Sequence, residues 1–284
     1  MMDAILLCMK KKGIYFFRKI QFPNTVVIRF HTKENFLGLL RSRYDNYDNV
    51  LIMAHGGNHA ILTTTTELCN PYITYIKEED TDVMKNDFVF AVSCLTANGF
   101  GKRCVENGCI AYLGYQVEIS RLFSSAPSPK NSTPDTVITA VNTLVKHIFV
   151  KELSVAYEEF LRTPISVQVL RERFAFALEK KLAELSNMTP EQVFAIYSIR
   201  IKKKHFQAYA VNLILDVLSF LNDVLPRLIC IGDENYISSS FIRYRKADGF
   251  SSAQISAELI SNPFFQRLAH TEYKNYLRDY AASI

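Results

Sequence analysis

The sequence predicts an α/β protein, with a mostly parallel sheet in the first part of the chain and a mainly helical C-terminal half. Two observations carry this. Residues 50–54 (Val-Leu-Ile-Met-Ala) and 88–93 (Phe-Val-Phe-Ala-Val-Ser) are short, unbroken apolar runs bounded by turn residues, as strands buried on both faces of a parallel sheet should be. From Thr136 onward the apolar residues recur instead at helical spacing, with Val137, Val141, Leu144, Val145 and Ile148 on one stripe.

The elements follow in order. Residues 25–30 (Thr-Val-Val-Ile-Arg-Phe) are β-rich and precede a helix-like stretch over 33–44. After the run at 88–93, residues 95–101 are small and polar enough for a loop, 102–107 reads as a short helix, and Gly108 stops it. Residues 109–115 are the next apolar strand, so strand, loop, helix and strand make one crossover unit. Proline and serine then mark an exposed loop. Helices are expected over 136–160, 166–186, 189–199 and 207–225, with Thr189 capping and Pro190 at the first helical position of the third. Beyond Gly232 two more are expected, over 252–260 and 263–280. The expected organisation is an α/β core over 1–125, the Pro/Ser-rich loop over 126–135, and a helical region over 136–284 that completes the core, forms a regulatory lobe, or both.

The chain has 284 residues, 49% of them hydrophobic, enough for a sizeable core. Its six cysteines are scattered without a Cys-x-x-Cys pair, which fits a reducing, cytoplasmic location where a thiol stays free. The apolar stretch 4–9 precedes its lysines instead of following them and is too short for a signal core or a span. The apolar stretch 211–225 is interrupted by Asp216 and Asp223. No membrane segment is therefore expected. Net charge is a mild +5, with basic clusters at 10–12, 202–204 and 243–246. These read as solvated faces, and no recognition module accompanies them, so nucleic acid is not an expected partner. The acidic stretch 78–82 lacks the alternating ligands of a calcium loop and reads as an exposed loop.

The residues that carry chemistry close the two apolar runs: His55-Gly56-Gly57 after the first, Cys94 after the second. Open parallel sheets bind ligands at the carboxyl ends of their strands. A histidine and a thiol carried on neighbouring strands meet there, which is how a Cys/His nucleophilic pair is built. Glycine at 56 and 57 lets backbone approach a substrate closely and frees N–H groups for a developing oxyanion. The other cysteines, 8, 69, 104, 109 and 230, read as structural or incidental. His59 lies four after His55, a zinc spacing on a helix, but the glycines between them argue against a helix and so against a metal. A mononuclear site of His55, His59 and Cys94 remains open on the sequence alone.

The blocks Ala54-His55-Gly56-Gly57, Val92-Ser93-Cys94-Leu95-Thr96 and Gly108-Cys109-Ile110-Ala111-Tyr112-Leu113-Gly114 resemble the three signature blocks of the caspase-like superfamily of cysteine peptidases, nearest its bacterial CHAT-type and gingipain-like branches. The resemblance spans about residues 25–125. It implies a caspase-like three-layer sandwich and a cysteine endopeptidase acting on protein substrates without a cofactor. Cys94 would be the nucleophile, His55 the general acid/base, and the N–H groups of Gly56 and Cys94 the oxyanion hole. It further implies an activating or sensor protein partner, as in bacterial immunity or cell-death systems, and activating cleavage or ordering near the Pro/Ser-rich loop. Caspases carry Gln-Ala-Cys where this chain has Val-Ser-Cys, so no aspartate preference is carried over. The family's pocket wall falls on residues 115–120, where a partly buried Glu118 would favour arginine or lysine in the substrate.

Three other readings stand beside this one, the first a nucleic-acid or nucleotide sensor whose binding would depend on salt. His-Gly-Gly also opens the oxyanion loop of many lipases, but their Gly-x-Ser-x-Gly elbow has no counterpart at 92–96, which lacks both glycines. A catalytically silent caspase-like module, binding partners through its helical half, shares every motif above.

Overall fold

The computed structural model describes residues 4–9, 15–20, 25–30, 33–41, 49–64, 73–123 and 133–284. In chain order its strands are β1 (Ala4–Met9), β2 (Thr25–Phe30), β3 (Asn49–Met53), β4 (His55–Gly57), β5 (Ala60–Thr64), β6 (Ile73–Lys77), β7 (Phe88–Val92), β8 (Ala111–Tyr115) and β9 (Leu228–Gly232). The main sheet runs β2-β1-β3-β7-β8-β9, and β4-β5-β6 form a second, antiparallel sheet. Every pairing in the main sheet is parallel except β8 with β9.

All residues of β3, β7 and β8 are buried, which is why these strands read as continuous apolar runs. Their helices cover both faces. On one side α2 (Phe100–Glu106) sets Phe100 against Tyr112. On the other, α3 (Asp135–Arg162) and α4 (Val167–Ser186) set Phe160 against Phe88 and Phe174 against Phe90. The α3 stripe of Val137, Val141, Leu144, Val145 and Ile148 is buried. Helix α2 starts two residues before the expected 102–107, and Gly108 ends it with φ of 96°, a conformation that favours glycine. The helix α1 (Lys33–Arg41) follows β2.

In the C-terminal half α5 (Pro190–Tyr197) opens with a reciprocal cap: Thr189 Oγ1 accepts from Gln192 N, and Gln192 Oε1 accepts from Thr189 N. One helical stretch then comprises α6 (Lys203–His205), a π turn (Phe206–Ala210), α7 (Val211–Val224) and a 3₁₀ turn (Leu225–Arg227). By length and composition Lys203–Arg227 is long and apolar enough to cross a membrane. Asp216 and Asp223 do not make it too polar, as the sequence reading supposed. Its inner residues Phe206, Ala210, Ile214, Val217, Leu221 and Val224 are buried in the core.

Three features of the C-terminal half also depart from the sequence reading. β9 lies inside the supposedly helical half and joins the main sheet as its antiparallel edge. The basic run 243–246 lies on α8 (Ser240–Ala247), followed by α9 (Ser252–Ser261). The expected helix over 263–280 breaks into α10 (Pro263–Arg267) and α11 (Thr271–Ser283). The break has a cause: Asp233 Oδ2 accepts from Ala269 N at 2.6 Å and from His270 N at 3.3 Å, and the His270 ring caps Tyr273 N. Tyr236 stacks on Phe88, so one buried core runs through both halves of the chain. The loop expected over 126–135 falls mostly outside the described residues, as do Cys69 and Lys10 to Lys12.

Candidate active site

The parallel register of β3 and β7 ends at Met53 opposite Val92. His55 and Cys94 each lie two residues further, at the carboxyl edge of the sheet. There the chain after β3 turns into the hairpin of β4 and β5, which pairs His55 with Leu62, Gly56 with Ile61 and Gly57 with Ala60. Side chains alternate along a strand. Ile61 and Ile76 are fully buried, so Gly56 shares their inner face, and His55 and Gly57 belong to the outer one. Gly56 meets the Cys94 segment directly. A Cβ there would collide with Ser93 Oγ and come within 2.6 Å of Cys94 O and Thr96 Cγ2. Only glycine lets the histidine block and the cysteine block close on one another.

Cys94 opens a tight loop whose next residue, Leu95, has a φ of 61°, sparsely populated for a side-chain-bearing residue. Two backbone bonds hold it against the end of β8, Leu95 N to Val117 O at 3.2 Å and Ala97 N to Tyr115 O at 3.1 Å, and a third, Gly101 N to Thr96 O at 2.7 Å, ties it to α2. The half-buried Cys94 Sγ accepts from Ile119 N at 3.4 Å. Burial pushes the thiol's pKa up. N–H groups of Ile119 and Ser120 offset this in part, and the charge of Glu118 adds to it. The shift favours the thiol over the thiolate.

Glu118 lies in the loop after β8 and is exposed. The expected partial burial does not hold, and with it goes the desolvation argument for a cationic substrate residue at this carboxylate.

A polar staple that the sequence reading missed fixes the two loops. Asn98 Nδ2 donates to Asn58 Oδ1 at 2.9 Å and to Gln116 O at 3.0 Å, and Phe100 N donates to Asn58 O at 2.7 Å. Gly99 permits this approach, because a Cβ would come within 2.6 Å of Asn58 O and His59 Nδ1. The signal was an Asn-Gly pair inside a stretch that read only as small and polar. His59 Nδ1 pairs with Glu78 Oε1 at 2.8 Å. Among the described residues no three His, Cys, Asp or Glu side chains gather to hold a metal.

Two hydroxyls near Cys94 also escaped the sequence reading. Ser93 Oγ and Tyr115 OH are buried with no hydrogen-bond partner among the described residues. Continuing the β7–β8 register places Tyr115 beside Val92. Burial and the nearby Cys94 raise its phenol pKa. A cleft of about 410 Å³ on the outer face of the small sheet is lined by Gly57, His59, Ala60, Leu62, Lys77, Glu78 and Glu79. It begins two residues from His55, and Cys94 does not line it.

The remaining candidates resolve structurally. Cys104 and Cys109 are buried with pKa values well above the ordinary thiol range, and Cys109 Sγ donates to Asp87 O. Cys230 is pushed up to about 12 by burial. In the 243–246 cluster Arg245 forks onto Glu258, Arg243 donates to Ser240, and Tyr244 faces Arg162. Residues 78–84 form a 3₁₀ helix, not an exposed loop: Asp80 is buried, accepts from Lys77 N and pairs with Lys33 at 2.6 Å. Compared with known proteins, the chain matches no family model and no curated sequence.

Proposed function

We propose that the protein is a cysteine endopeptidase of caspase-like architecture, with Cys94 as nucleophile and His55 as general acid/base. The observation that carries this is the Gly56 contact at the carboxyl edge of β3 and β7, which joins the histidine and cysteine blocks where an α/β sheet does its chemistry. Helices on both faces of the sheet support the three-layer assignment. Cys94 Sγ attacks the substrate carbonyl and its proton passes to His55 once the histidine, which β4 carries on the face opposite the Gly56 contact, is turned toward the sulfur. The N–H groups of Gly56 and Cys94 stabilise the oxyanion. His55 then protonates the leaving amine as the thioester forms, and water releases the acid. No cofactor enters these steps.

A half-buried thiol with a raised pKa needs its base close before it attacks, which favours regulation by a protein partner, as the resemblance to immunity and cell-death peptidases implies. The same observation favours the second reading, a silent caspase-like module. Labelling by peptidyl electrophiles, followed by intact mass, separates the two. Peptide-dependent labelling lost in both Cys94→Ala and His55→Ala supports the peptidase. Labelling of Cys94 no faster than of Cys230, with or without candidate partners, supports the silent module.

A further inference from the structure

The stretch from α5 through α6 to the π turn presents apolar and basic side chains together. Val193, Ile201, Phe206 and Ala210 are buried and anchor it to the core. Its outward residues are of a different kind: Phe194 is 41% and Ile196 58% exposed, and Arg200, Lys202, Lys203 and Lys204 are all exposed. Arg200 lies over the Phe194 ring, 4.5 Å from its centroid. Between Glu191 and Asp216 the sequence holds no acidic residue. The helical stretch that follows is the one of membrane-spanning apolarity among the described residues, yet only 33% of its most apolar window is buried, and Leu215 is 48% exposed.

We propose that this tip docks the protein on an anionic lipid bilayer, with Phe194 and Ile196 entering the interface and Arg200 and Lys202 to Lys204 facing the headgroups. Three considerations select this occupant. Large exposed apolar side chains mark an interaction site when they cluster. Apolar residues rimmed by cations match the boundary between acyl chains and acidic headgroups. Aliphatic Ile196 and Leu215 suit acyl chains better than they suit bases, which stack on aromatic rings. Phe206, Ala210, Ile214, Val217, Leu221 and Val224 are packed in the core, which keeps the helical stretch with the fold, confines the contact to its N-terminal end and lays the protein on the surface without crossing it.

The test is sedimentation of the full chain with phosphatidylcholine vesicles, with and without phosphatidylserine, at low and high salt. Binding should require phosphatidylserine and weaken with salt. The triple variant Lys202→Ala, Lys203→Ala, Lys204→Ala should bind about a hundred-fold more weakly, from about five-fold per cation. Ile196→Ser, at an exposed position where folding is not at risk, should weaken binding several-fold at unchanged charge. Binding insensitive to Ile196→Ser would mean adsorption by charge alone and overturn the insertion. Preference for single-stranded RNA over vesicles, or no binding to phosphatidylserine vesicles at low salt, would overturn the proposal. Cys94 labelling, measured on the same variants, keeps this outcome separate from the catalytic one.

Discussion

Gly56 and Cys94 touch through their backbones so closely that a Cβ on Gly56 would come within 2.6 Å of the Cys94 carbonyl oxygen. The neighbouring Gly57 has nothing within 4 Å of the same position. Two adjacent glycines therefore differ in what they do, and alanine tells them apart. Gly56→Ala should lower stability by about 1–3 kcal/mol through overpacking. By pushing the two proposed oxyanion donors apart it should also slow electrophile labelling about a hundred-fold or more. Gly57→Ala should stay within about 0.5 kcal/mol of wild type and label normally. Thermal melts and labelling rates on both variants check this, and equal effects at the two positions would show that the contact does not set the geometry of the site.

The Cys94 thiol gives a second prediction, through pH. Its pKa is raised chiefly by burial, with the Glu118 charge adding to it. Alkylation of the resting protein at Cys94 should therefore have its midpoint above the ordinary thiol range, and Glu118→Gln should lower that midpoint. The Glu118 effect should shrink with salt, because the carboxylate is exposed. A group with a raised folded pKa binds its proton more tightly when folded. Its contribution to stability is thus full below the unfolded thiol pKa and is lost as pH rises through the folded one. Rates of iodoacetamide capture across alkaline pH, read by mass, test the sign. A midpoint below the ordinary range would show a thiolate already paired with His55.

What the sequence made legible follows burial. The runs at 50–54 and 88–93 stood out because strands covered on both faces tolerate only apolar residues, and the glycines and the cysteine that end them marked the sheet edge. β9 did not stand out. Leu-Ile-Cys-Ile-Gly follows an apolar helix closely, and only pairing with β8 makes it a strand, a tertiary effect that local pattern does not carry. The split between α10 and α11 was hidden for the same reason, since its cause is Asp233, more than thirty residues away. Glu118 was misjudged because residue type and position along the chain do not fix exposure in a loop.

The staple through Asn98 is the third test. One side chain ties the hairpin turn at Asn58 to Gln116, and so ties the His55 loop to the strand that holds the Cys94 loop. Asn98→Ala should lower stability by about 1–2 kcal/mol, the worth of two hydrogen bonds. It should also cut labelling about ten-fold or more, since small misplacements of catalytic groups are costly. Denaturant melts with labelling on the same samples check it. A loss of stability with labelling unchanged would make the staple purely structural.

Tyr115 separates stability from function most cleanly. Its hydroxyl is buried without a hydrogen-bond partner among the described residues, on a residue whose register neighbour, Val92, lies two before Cys94. A buried donor left unsatisfied costs about 1–3 kcal/mol, so a residue kept only for packing would serve better as phenylalanine. Tyr115→Phe should accordingly leave stability unchanged or raise it by up to about 2 kcal/mol. If the hydroxyl supports the reacting thiol or the bound substrate, the same variant should label several-fold more slowly and shift the alkylation midpoint of Cys94. Stability gained with labelling slowed is the signature of a group held for chemistry at the expense of the fold. Stability gained with labelling and midpoint unchanged would assign Tyr115 to the core and leave Cys94, His55 and the two backbone donors as the whole of the proposed machinery.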